Sequence, residues 1–306
     1  MSAIIVLAGG AFDEREVSLR SGKAVADALQ ASGHHVTLID PAEGLEPHKA
    51  QLQQADAVFP ALHGKGGEEG IIQAELEALG VTYVGSDSTV SALCFDKWRY
   101  RQLLKKHDIL MAKGELVDEH TFTQSPLFKQ PFVLKPFDSG SSIDTFVVRS
   151  PGQADMPAIA QTFMHHPRML LEALIPGVEV TVGVLGDQAL PVIEVIPPAD
   201  GEFDYDNKYN GKTQELCPPQ HVSEALQQQA QQLALRIHTL CGCRDLSRTD
   251  FIITPDNHIY TLETNTLPGM TDQSLYPKAA KQTGIDMKEL VDNLVQMAIN
   301  RKQINK

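Results

Sequence analysis

The sequence predicts a mixed fold that joins an α/β unit to α+β units, and three observations lead to this prediction. Short apolar runs near the N-terminus are each followed by a helical pattern, which is typical of a parallel sheet with crossover helices. Later strand-like runs follow one another without such helices. The length of 306 residues leaves room for two or three compact units with a substantial buried core.

The N-terminal α/β unit is predicted from three strand-like runs. They cover residues 3–8, 35–39 and 57–62. Two glycines after the first run predict a tight turn, and a helix is expected over 16–31. The unit should end near Ser91, so we set its boundaries at residues 1–93.

Two further units are expected, over residues 94–176 and 177–306. The elements predicted for the central unit are a basic helix over 95–106 and strands over 131–136, 145–148 and 169–175. Those predicted for the C-terminal unit are strands over 179–185 and 189–196, a helix over 224–240 and a last helix near 288–300. The polar loop 199–219 is too long for an ordinary connection, which favours a lid.

The amino-acid composition indicates which partners and which cellular compartment are expected. With 26 Lys and Arg against 39 Asp and Glu, the net charge is −13, which disfavours binding to nucleic acid or to an anionic membrane. The four cysteines are few for this length and suit a reducing compartment. No run approaches the roughly 20 apolar residues that span a bilayer. We therefore expect a cytoplasmic protein with no nucleic-acid or membrane partner.

The segment 248–265 predicts a metal site from its spacing. Two β-rich runs flank Asp256 and Asn257, which we interpret as a two-residue hairpin turn. Paired positions then sum to 513, so Asp250 lies opposite Glu263. Like charges directly across a ladder are unfavourable, and a divalent cation with oxygen ligands would compensate for them.

The same register assigns both faces of the hairpin. Arg248 lies opposite Asn265 on the face of the acids. The other face is predicted to enter the core and carries Phe251, Ile253, Tyr260 and Leu262. The alternative is an edge hairpin with solvated acids in which Arg248 neutralises the pair.

A phosphate-binding region is predicted from two lysines and a polar loop. Lys135 lies within the apolar run PFVLKP, where a lysine is costly to bury without an anion. Lys97 follows Asp96 at a helix start, although a solvated surface lysine is the alternative. Backbone N–H groups of Gly140, Ser141 and Ser142 could close over phosphates, and a flexible turn is the alternative there.

Several long motifs, in the right order, carry a resemblance to the D-alanine–D-alanine ligases of the ATP-grasp superfamily. They are GGAFDEREVSLRSG, LHGKGGEEGIIQAELEALGVTYVGS, SALCFDK, VLKPFDSGSSI, EALIPGVEVTVGVLG, DYDNKY, SRTDF and LETNTLPGMTDQSLYPKAA. The resemblance implies a three-domain ATP-grasp architecture with an N-terminal parallel-sheet domain. It also implies ATP as a substrate, two Mg²⁺ ions with Mn²⁺ as an alternative, and ligation of two D-alanines for peptidoglycan. Dimers are usual in that family, so a homodimer is expected.

The resemblance also assigns roles to individual residues. Glu14 corresponds to the acid for the first D-alanine ammonium, linked by hydrogen bonds to Ser141 and Tyr209, and His63 to a substrate-proximal histidine. The positions implied for the nucleotide are Lys97, Lys135, Ser142 and Lys208 at the phosphates and Glu172, Leu174 and Glu179 around adenine and ribose. The positions implied for metal and acyl transfer are Asp250, Glu263 and Asn265 as metal ligands, Arg248 and the Gly269 backbone as oxyanion stabilisers, and Ser274 and Leu275 beside the second D-alanine.

The sequence departs from the family pattern at four positions. Phe12 replaces a serine before Glu14, and Asp144 replaces a glycine, where an added carboxylate near phosphates would be repulsive. Thr249 and Thr264 are milder departures, because the register directs both away from the ligand face. Two other functions stay open: an ATP-grasp ligase for another carboxylate and amine, or a nucleotide-binding homologue with weakened turnover.

Overall fold

The computed structural model describes residues 1–12, 14–140, 143–198 and 213–304. Within these ranges the strands form three sheets. The first sheet is parallel, as predicted, in the order β2-β1-β3. Its strands are β1 (Ala3–Leu7), β2 (His35–Ile39) and β3 (Ala57–Pro60). The helices along this part of the chain are α1 (Arg15–Ala31), α2 (Lys49–Gln54), α3 (Ile71–Ala78) and α4 (Ser88–Phe95).

The second sheet is antiparallel and has the order β4-β7-β5-β6. Its strands are β4 (Gly114–Val117), β5 (Phe132–Pro136), β6 (Phe146–Val148) and β7 (Met169–Ala173). The associated helices are α5 (Lys97–Lys106), α6 (Glu119–Phe122) and α7 (Met156–His165). Helix α5 begins after Asp96, whose side chain accepts hydrogen bonds from two backbone N–H groups of the first turn.

The third sheet is the largest, with the order β11-β10-β8-β12-β13 and β9 paired to β8. Its strands are β8 (Val178–Leu185), β9 (Gln188–Ala189), β10 (Ile193–Ile196), β11 (Gln214–Leu216), β12 (Leu246–Ile253) and β13 (Ile259–Asn265). Two predictions are corrected here. Residues 189–196 form parts of two strands, and the predicted loop 199–219 contains β11, which pairs with β10. Residues 199–212 lie outside the described ranges.

The remaining helices are α8 (Glu224–Cys241), α9 (Leu275–Gln282) and α10 (Met287–Ile304). Helix α10 packs against α1 and β3, and its Leu294 belongs to the same core cluster as Ile4 and Phe59 of the first sheet. The last helix therefore contributes to the N-terminal core as well as to the third unit. The domain boundaries after residues 93 and 176 stay predictions. Among the helices of the described ranges, none is both long and apolar enough to span a bilayer.

Candidate active site

Strands β12 and β13 pair at the site in the predicted register. Asp250 lies opposite Glu263, and Arg248 lies opposite Asn265. Because side chains alternate along a strand, these four share one face. All four line one or both of two cavities. The predicted cross-strand pairing of these four residues is confirmed.

The turn end of the hairpin differs from the prediction. Thr254 donates its N–H to the His258 carbonyl at 3.0 Å, so the loop has three residues, with Asn257 at φ +66°. A register shift follows Asp250: Phe251 pairs with Thr261, which leaves an extra residue on β13.

Because of this bulge at Leu262, the core prediction is wrong for two of the four residues on the other face of the hairpin. Phe251 and Ile253 are buried, as expected. Tyr260 and Leu262 are only partly buried, and Leu262 lines the first cavity. Thr261 takes the predicted place in the core instead, because one inserted residue inverts the alternation beyond it.

The first cavity has a volume of about 550 Å³ and lies between the second and third sheets. Seven predicted residues line it, namely Lys97, Lys135, Glu172, Leu174, Glu179, Asp250 and Glu263. Its walls are mainly apolar, with a few convergent charged groups, as is typical of small-ligand sites. The structure therefore brings together the predicted nucleotide residues that it describes.

Both lysines of this cavity contact carboxylates. Lys135 Nζ lies 2.7 Å from Glu172 Oε2, and Arg101 pairs with the same carboxylate. Lys97 Nζ lies 3.3 Å from Glu263 Oε2 and donates to the Ser139 carbonyl at 2.6 Å. The Lys97 side chain is only 12% exposed, so the solvated-surface interpretation of this lysine is wrong.

The second cavity, about 700 Å³, is lined by the residues predicted for substrate binding and acyl transfer and by the predicted metal ligand Asn265. They are Glu14, His63, Arg248, Asn265, Gly269, Ser274 and Leu275. Glu263 lines both cavities. The paired carboxylates of the hairpin thus lie where the two cavities meet.

A glycine creates the space for Glu14. Gly64 adopts φ +59°, and a Cβ there would lie 1.6 Å from Glu14 Oε2. The Glu14 side chain is therefore seated directly over the Gly64 backbone, and it is 6% exposed. A Cβ on Gly140 would lie 3.3 Å from the same oxygen, which places the start of the glycine-serine loop beside Glu14.

His63 is held by hydrogen bonds on both ring nitrogens. Nδ1 lies 3.2 Å from the Leu267 carbonyl, and Nε2 lies 2.8 Å from Ser21 Oγ. Burial lowers the pKa of His63 to about 4. The neutral ring donates from Nδ1 and accepts at Nε2, so it fixes the segment that leads to Gly269.

Arg248 forms a fork with Asp250. Its Nε and Nη2 each lie 3.0 Å from one Asp250 oxygen. Thr181 Oγ1 and Asn265 Nδ2 also donate to that carboxylate. Burial opposes the charge on Arg248, but Asp250, Glu263 and Glu68 together raise the pKa of its guanidinium above the usual value. A fixed positive charge therefore lies at the junction of the cavities.

Ser274 precedes α9 at the N-cap position but makes no side-chain capping bond to that helix. Its Oγ accepts from the Thr271 N–H at 3.1 Å. A Cβ on Gly269 would lie 2.8 Å from the same oxygen. The hydroxyl is therefore directed toward the second cavity instead of acting as a simple helix cap.

Several residues at the site were not assigned from the sequence. Glu68 lines the second cavity, and its pKa is raised well above the usual range by burial and then by Glu14. Lys278 pairs with Glu215 at 2.6 Å at the same cavity. Arg101 supports Glu172. The motif HGKGGEEG contained Glu68, but its spacing does not say which acid faces the cavity.

Four predicted residues, Ser141, Ser142, Lys208 and Tyr209, lie outside the described ranges. Their roles stay predictions. Asp144 adopts φ +57°, a conformation that favours glycine and tolerates aspartate. Its carboxylate lies 3.0 Å from His166 Nε2. Phe12 is 48% exposed and lies against Gly66.

The donor set at the hairpin fits Mg²⁺. It offers carboxylate and amide oxygens on one face at the junction of the cavities, the ligand type that Mg²⁺ takes together with phosphates. No group of three or more His, Cys, Asp or Glu with metal-binding geometry occurs in the described part of the chain. The two carboxylates and one amide leave coordination positions that phosphate oxygens and water would fill.

Two cavities that meet at paired carboxylates, on three sheets of this order, define an ATP-dependent carboxylate–amine ligase of the ATP-grasp fold. Family models described as D-ala D-ala ligase N-terminus and C-terminus match residues 40–86 and 100–296. The chain belongs to the D-alanine–D-alanine ligase family.

Comparisons with individual relatives and solved structures support this family assignment. The chain is 42% identical to the D-alanine–D-alanine ligase of Sphingopyxis alaskensis, over 97% of each chain. A solved D-alanine–D-alanine ligase from Bacillus anthracis superposes with a TM-score of 0.87 at 27% identity, covering 100% of both chains. The VanG D-Ala:D-Ser ligase of Enterococcus faecalis gives 0.83 at 28% identity, over 97% of this chain and 99% of that one.

Proposed function

We propose that this chain uses ATP to join two D-alanines into D-alanyl-D-alanine, for peptidoglycan precursor synthesis, with release of ADP and phosphate. One observation carries the proposal: the Asp250–Glu263 pair lies where the two cavities meet. A nucleotide in the first cavity would direct its terminal phosphate toward an amino acid in the second.

The first step is attack of a D-alanine carboxylate on the γ-phosphorus of ATP, which forms an acyl phosphate and ADP. Lys97 and Lys135 compensate phosphate charge, after exchanging their carboxylate contacts for phosphate oxygens. Glu14 holds the ammonium of the first D-alanine. Two Mg²⁺ ions, or Mn²⁺ in their place, held by Asp250, Glu263 and Asn265, would supply further neutralisation of the triphosphate.

The second step is attack of the neutral amine of another D-alanine on the acyl carbon. The tetrahedral oxyanion is stabilised by Arg248 and the Gly269 N–H, and phosphate leaves as the peptide bond forms. Ser274 and Leu275 contact the second D-alanine. Because Arg248 has a raised pKa, its positive charge persists through the whole pH range of activity.

Acyl phosphates hydrolyse, so water must be excluded during both steps. The segment that carries Lys208 and Tyr209, before β11, is proposed as the lid, and Ser141 is proposed to link Tyr209 to Glu14. Tyr209 also favours an amine over a hydroxy acid as second substrate. A cytoplasmic location and a homodimer, which sedimentation would detect, belong to this proposal.

The test is coupled phosphate release with ATP, Mg²⁺ and D-alanine. Glu263→Gln removes a ligand charge without changing shape, and we expect kcat to fall on the order of 100-fold while the circular dichroism spectrum is unchanged. Glu75→Gln makes the same chemical change at an exposed position of α3 and should leave turnover at the wild-type value. Unchanged turnover in Glu263→Gln would refute the ligand assignment.

The second substrate is tested separately, because the VanG similarity concerns a D-Ala:D-Ser ligase. Phosphate release is measured with D-alanine alone and then with D-serine or D-lactate added. Formation of D-alanyl-D-alanine as the main product supports the proposal. Release that depends on another acceptor would indicate a ligase for a different pair, and ATP binding without any release would indicate a homologue that has lost turnover.

A further inference from the structure

Two departures from the family pattern contact one another behind the candidate metal site. Thr249 and Thr264 are cross-strand partners, and their Oγ1 atoms lie 2.9 Å apart. Tyr100 of α5 extends this contact, since its phenol oxygen lies 2.7 Å from Thr264 Oγ1. All three residues are buried: Thr249 and Tyr100 are 0% exposed, and Thr264 is 4% exposed.

This hydroxyl network lies directly behind the ligand face. Thr249 stands between Arg248 and Asp250, and Thr264 stands between Glu263 and Asn265. Because side chains alternate, any movement of the two threonines moves the neighbouring ligands as well. Burial raises the pKa of Tyr100 well above its usual range, so the phenol keeps its proton as a donor.

Helix α5 connects the network to the nucleotide cavity. Lys97, Tyr100 and Arg101 are spaced i, i+3 and i+4, which places them on one face of the helix. Lys97 contacts Glu263, Tyr100 contacts Thr264, and Arg101 contacts Glu172. The distance between the helix and the hairpin therefore sets the distance between the lysine and the metal ligands.

Strand β13 depends on such a constraint because it is the edge strand of the third sheet and its ladder with β12 is interrupted. The bulge at Leu262 lies next to Glu263, and only the pairs from Asp250–Glu263 to Arg248–Asn265 lie beyond it. Hydroxyl oxygens approach to about 2.8 Å, whereas apolar carbons pack at about 3.5–4.0 Å. Apolar side chains could fill this space, but they would hold the hairpin farther from α5.

We propose that Tyr100, Thr249 and Thr264 are positioning residues that hold the metal-ligand hairpin at a fixed distance from Lys97. The inference rests on the proposed function for the identity of the ligands, and it adds a determinant of metal affinity that touches neither metal nor substrate. Loss of the hydroxyls weakens metal binding even where the fold keeps its stability.

A comparison of a triple variant with wild type separates an effect on the hairpin–helix distance from an effect on the stability of the fold. The triple variant Tyr100→Phe/Thr249→Val/Thr264→Val makes the network apolar, a change that is often nearly neutral for stability. We expect its thermal unfolding midpoint to stay close to that of wild type. Its dissociation constant for Mn²⁺, measured by electron paramagnetic resonance with ADP and no D-alanine, should rise about 3- to 10-fold, the scale of one hydrogen bond.

Single variants keep the test valid if the triple variant does not fold. Thr264→Ser retains the hydroxyl and should bind Mn²⁺ as wild type does, whereas Thr264→Val should bind more weakly. Tyr276→Phe is the matched control: this buried phenol donates to the Val184 carbonyl, so its loss should leave Mn²⁺ affinity unchanged. In steady state, Tyr100→Phe should raise the Mg²⁺ activation constant without raising KM for D-alanine.

A triple variant, or a Thr264→Val variant, with wild-type Mn²⁺ affinity would overturn the proposal. Equal losses in Thr264→Ser and Thr264→Val would do so too, because the hydroxyl would then be irrelevant. These outcomes are independent of the proposed function, since the Mn²⁺ titration contains no D-alanine. Failure of that function would appear instead as wild-type protein that releases no phosphate when D-alanine is added.

Discussion

At the scale of single residues, the position of Glu14 depends on the absence of a side chain opposite it. A Cβ at Gly64 would lie 1.6 Å from Glu14 Oε2, far inside van der Waals contact. The proposed ammonium site therefore requires glycine at residue 64 for space as well as for its φ of +59°. The motif LHGKGG shows that glycines are present, but it does not show which of them faces the acid.

We predict that Gly64→Ala displaces Glu14 and raises KM for the first D-alanine on the order of 10-fold or more, because about 1 Å of misplacement is enough to reduce catalysis strongly. Gly80→Ala is the matched control. Gly80 has a similar φ of +68°, but a Cβ there has no heavy atom within 4 Å. Both variants carry the left-handed strain of about 1 kcal/mol, so steady-state kinetics isolates the clash. Equal KM values in the two variants would contradict this account of Glu14.

Two buried histidines predict how stability depends on pH. Burial lowers the pKa of both His63 and His238 from 6.5 to about 4. Between these values the unfolded chain binds protons that the native protein does not, so the free energy of unfolding falls as pH decreases from 6.5 toward 4. Each histidine contributes a slope of up to about 1.4 kcal/mol per pH unit.

The variant His238→Gln should remove its share of that slope. His238 lies outside both cavities and contacts Ser247 Oγ at 2.7 Å, so the comparison does not disturb the site. Urea denaturation at pH 6.5 and 5.0 measures the two slopes. If wild type and variant lost the same free energy over this interval, His238 would not be neutral in the native state.

At the scale of elements, the hairpin shows what sequence can and cannot predict. The assumed two-residue turn at Asp256 and Asn257 predicted the Asp250–Glu263 pairing, and this pairing is correct although the turn is not. The turn and the bulge were not predictable in the same way. A three-residue loop with an inserted Leu262 gives the same pairing at the site as a two-residue loop without it, so the ligand register alone does not distinguish them.

Helix α5 illustrates a second limit. Its basic composition predicted a helix, and Lys97 was predicted as a phosphate ligand. The buried contacts of Tyr100 and Arg101 lie with β13 and β7, far away in sequence. Periodicity identifies one face of a helix, but it does not identify the partner of that face.

We predict that Arg101→Met weakens nucleotide binding through Glu172. Arg101 and Glu172 side chains are 10% and 9% exposed, and removal of Arg101 costs on the order of 1–3 kcal/mol, because Lys135 still compensates the Glu172 charge. Lys135 would remain bound to Glu172 and be less available to phosphate. Thermal unfolding and ADP titration calorimetry measure both effects. Lys23→Met, which breaks an exposed pair with Asp27, should change neither quantity appreciably.

At the scale of the whole molecule, the first and third sheets are joined by one shared core. One cluster contains Ile4 and Phe59 of the first sheet, Val195 of the third sheet, and Leu294 of α10. At the same junction, Arg301 of α10 pairs with Asp245 at 2.5 Å. The N-terminal boundary, which was predicted from the succession of strands and helices, stays a prediction, and this core cluster contains residues from both sides of it.

This continuity predicts cooperative unfolding. Leu294 is 0% exposed, so Leu294→Ala should lower the free energy of unfolding by about 2–5 kcal/mol through lost burial and the resulting cavity. Trp98, the one tryptophan of the chain, lies on α5 rather than in this cluster, and its fluorescence reports on the central unit. We expect the fluorescence and far-ultraviolet circular dichroism transitions in urea to shift together in the variant. A circular dichroism transition that moved to lower urea while the Trp98 transition stayed in place would show instead that α10 stabilises the N-terminal unit alone.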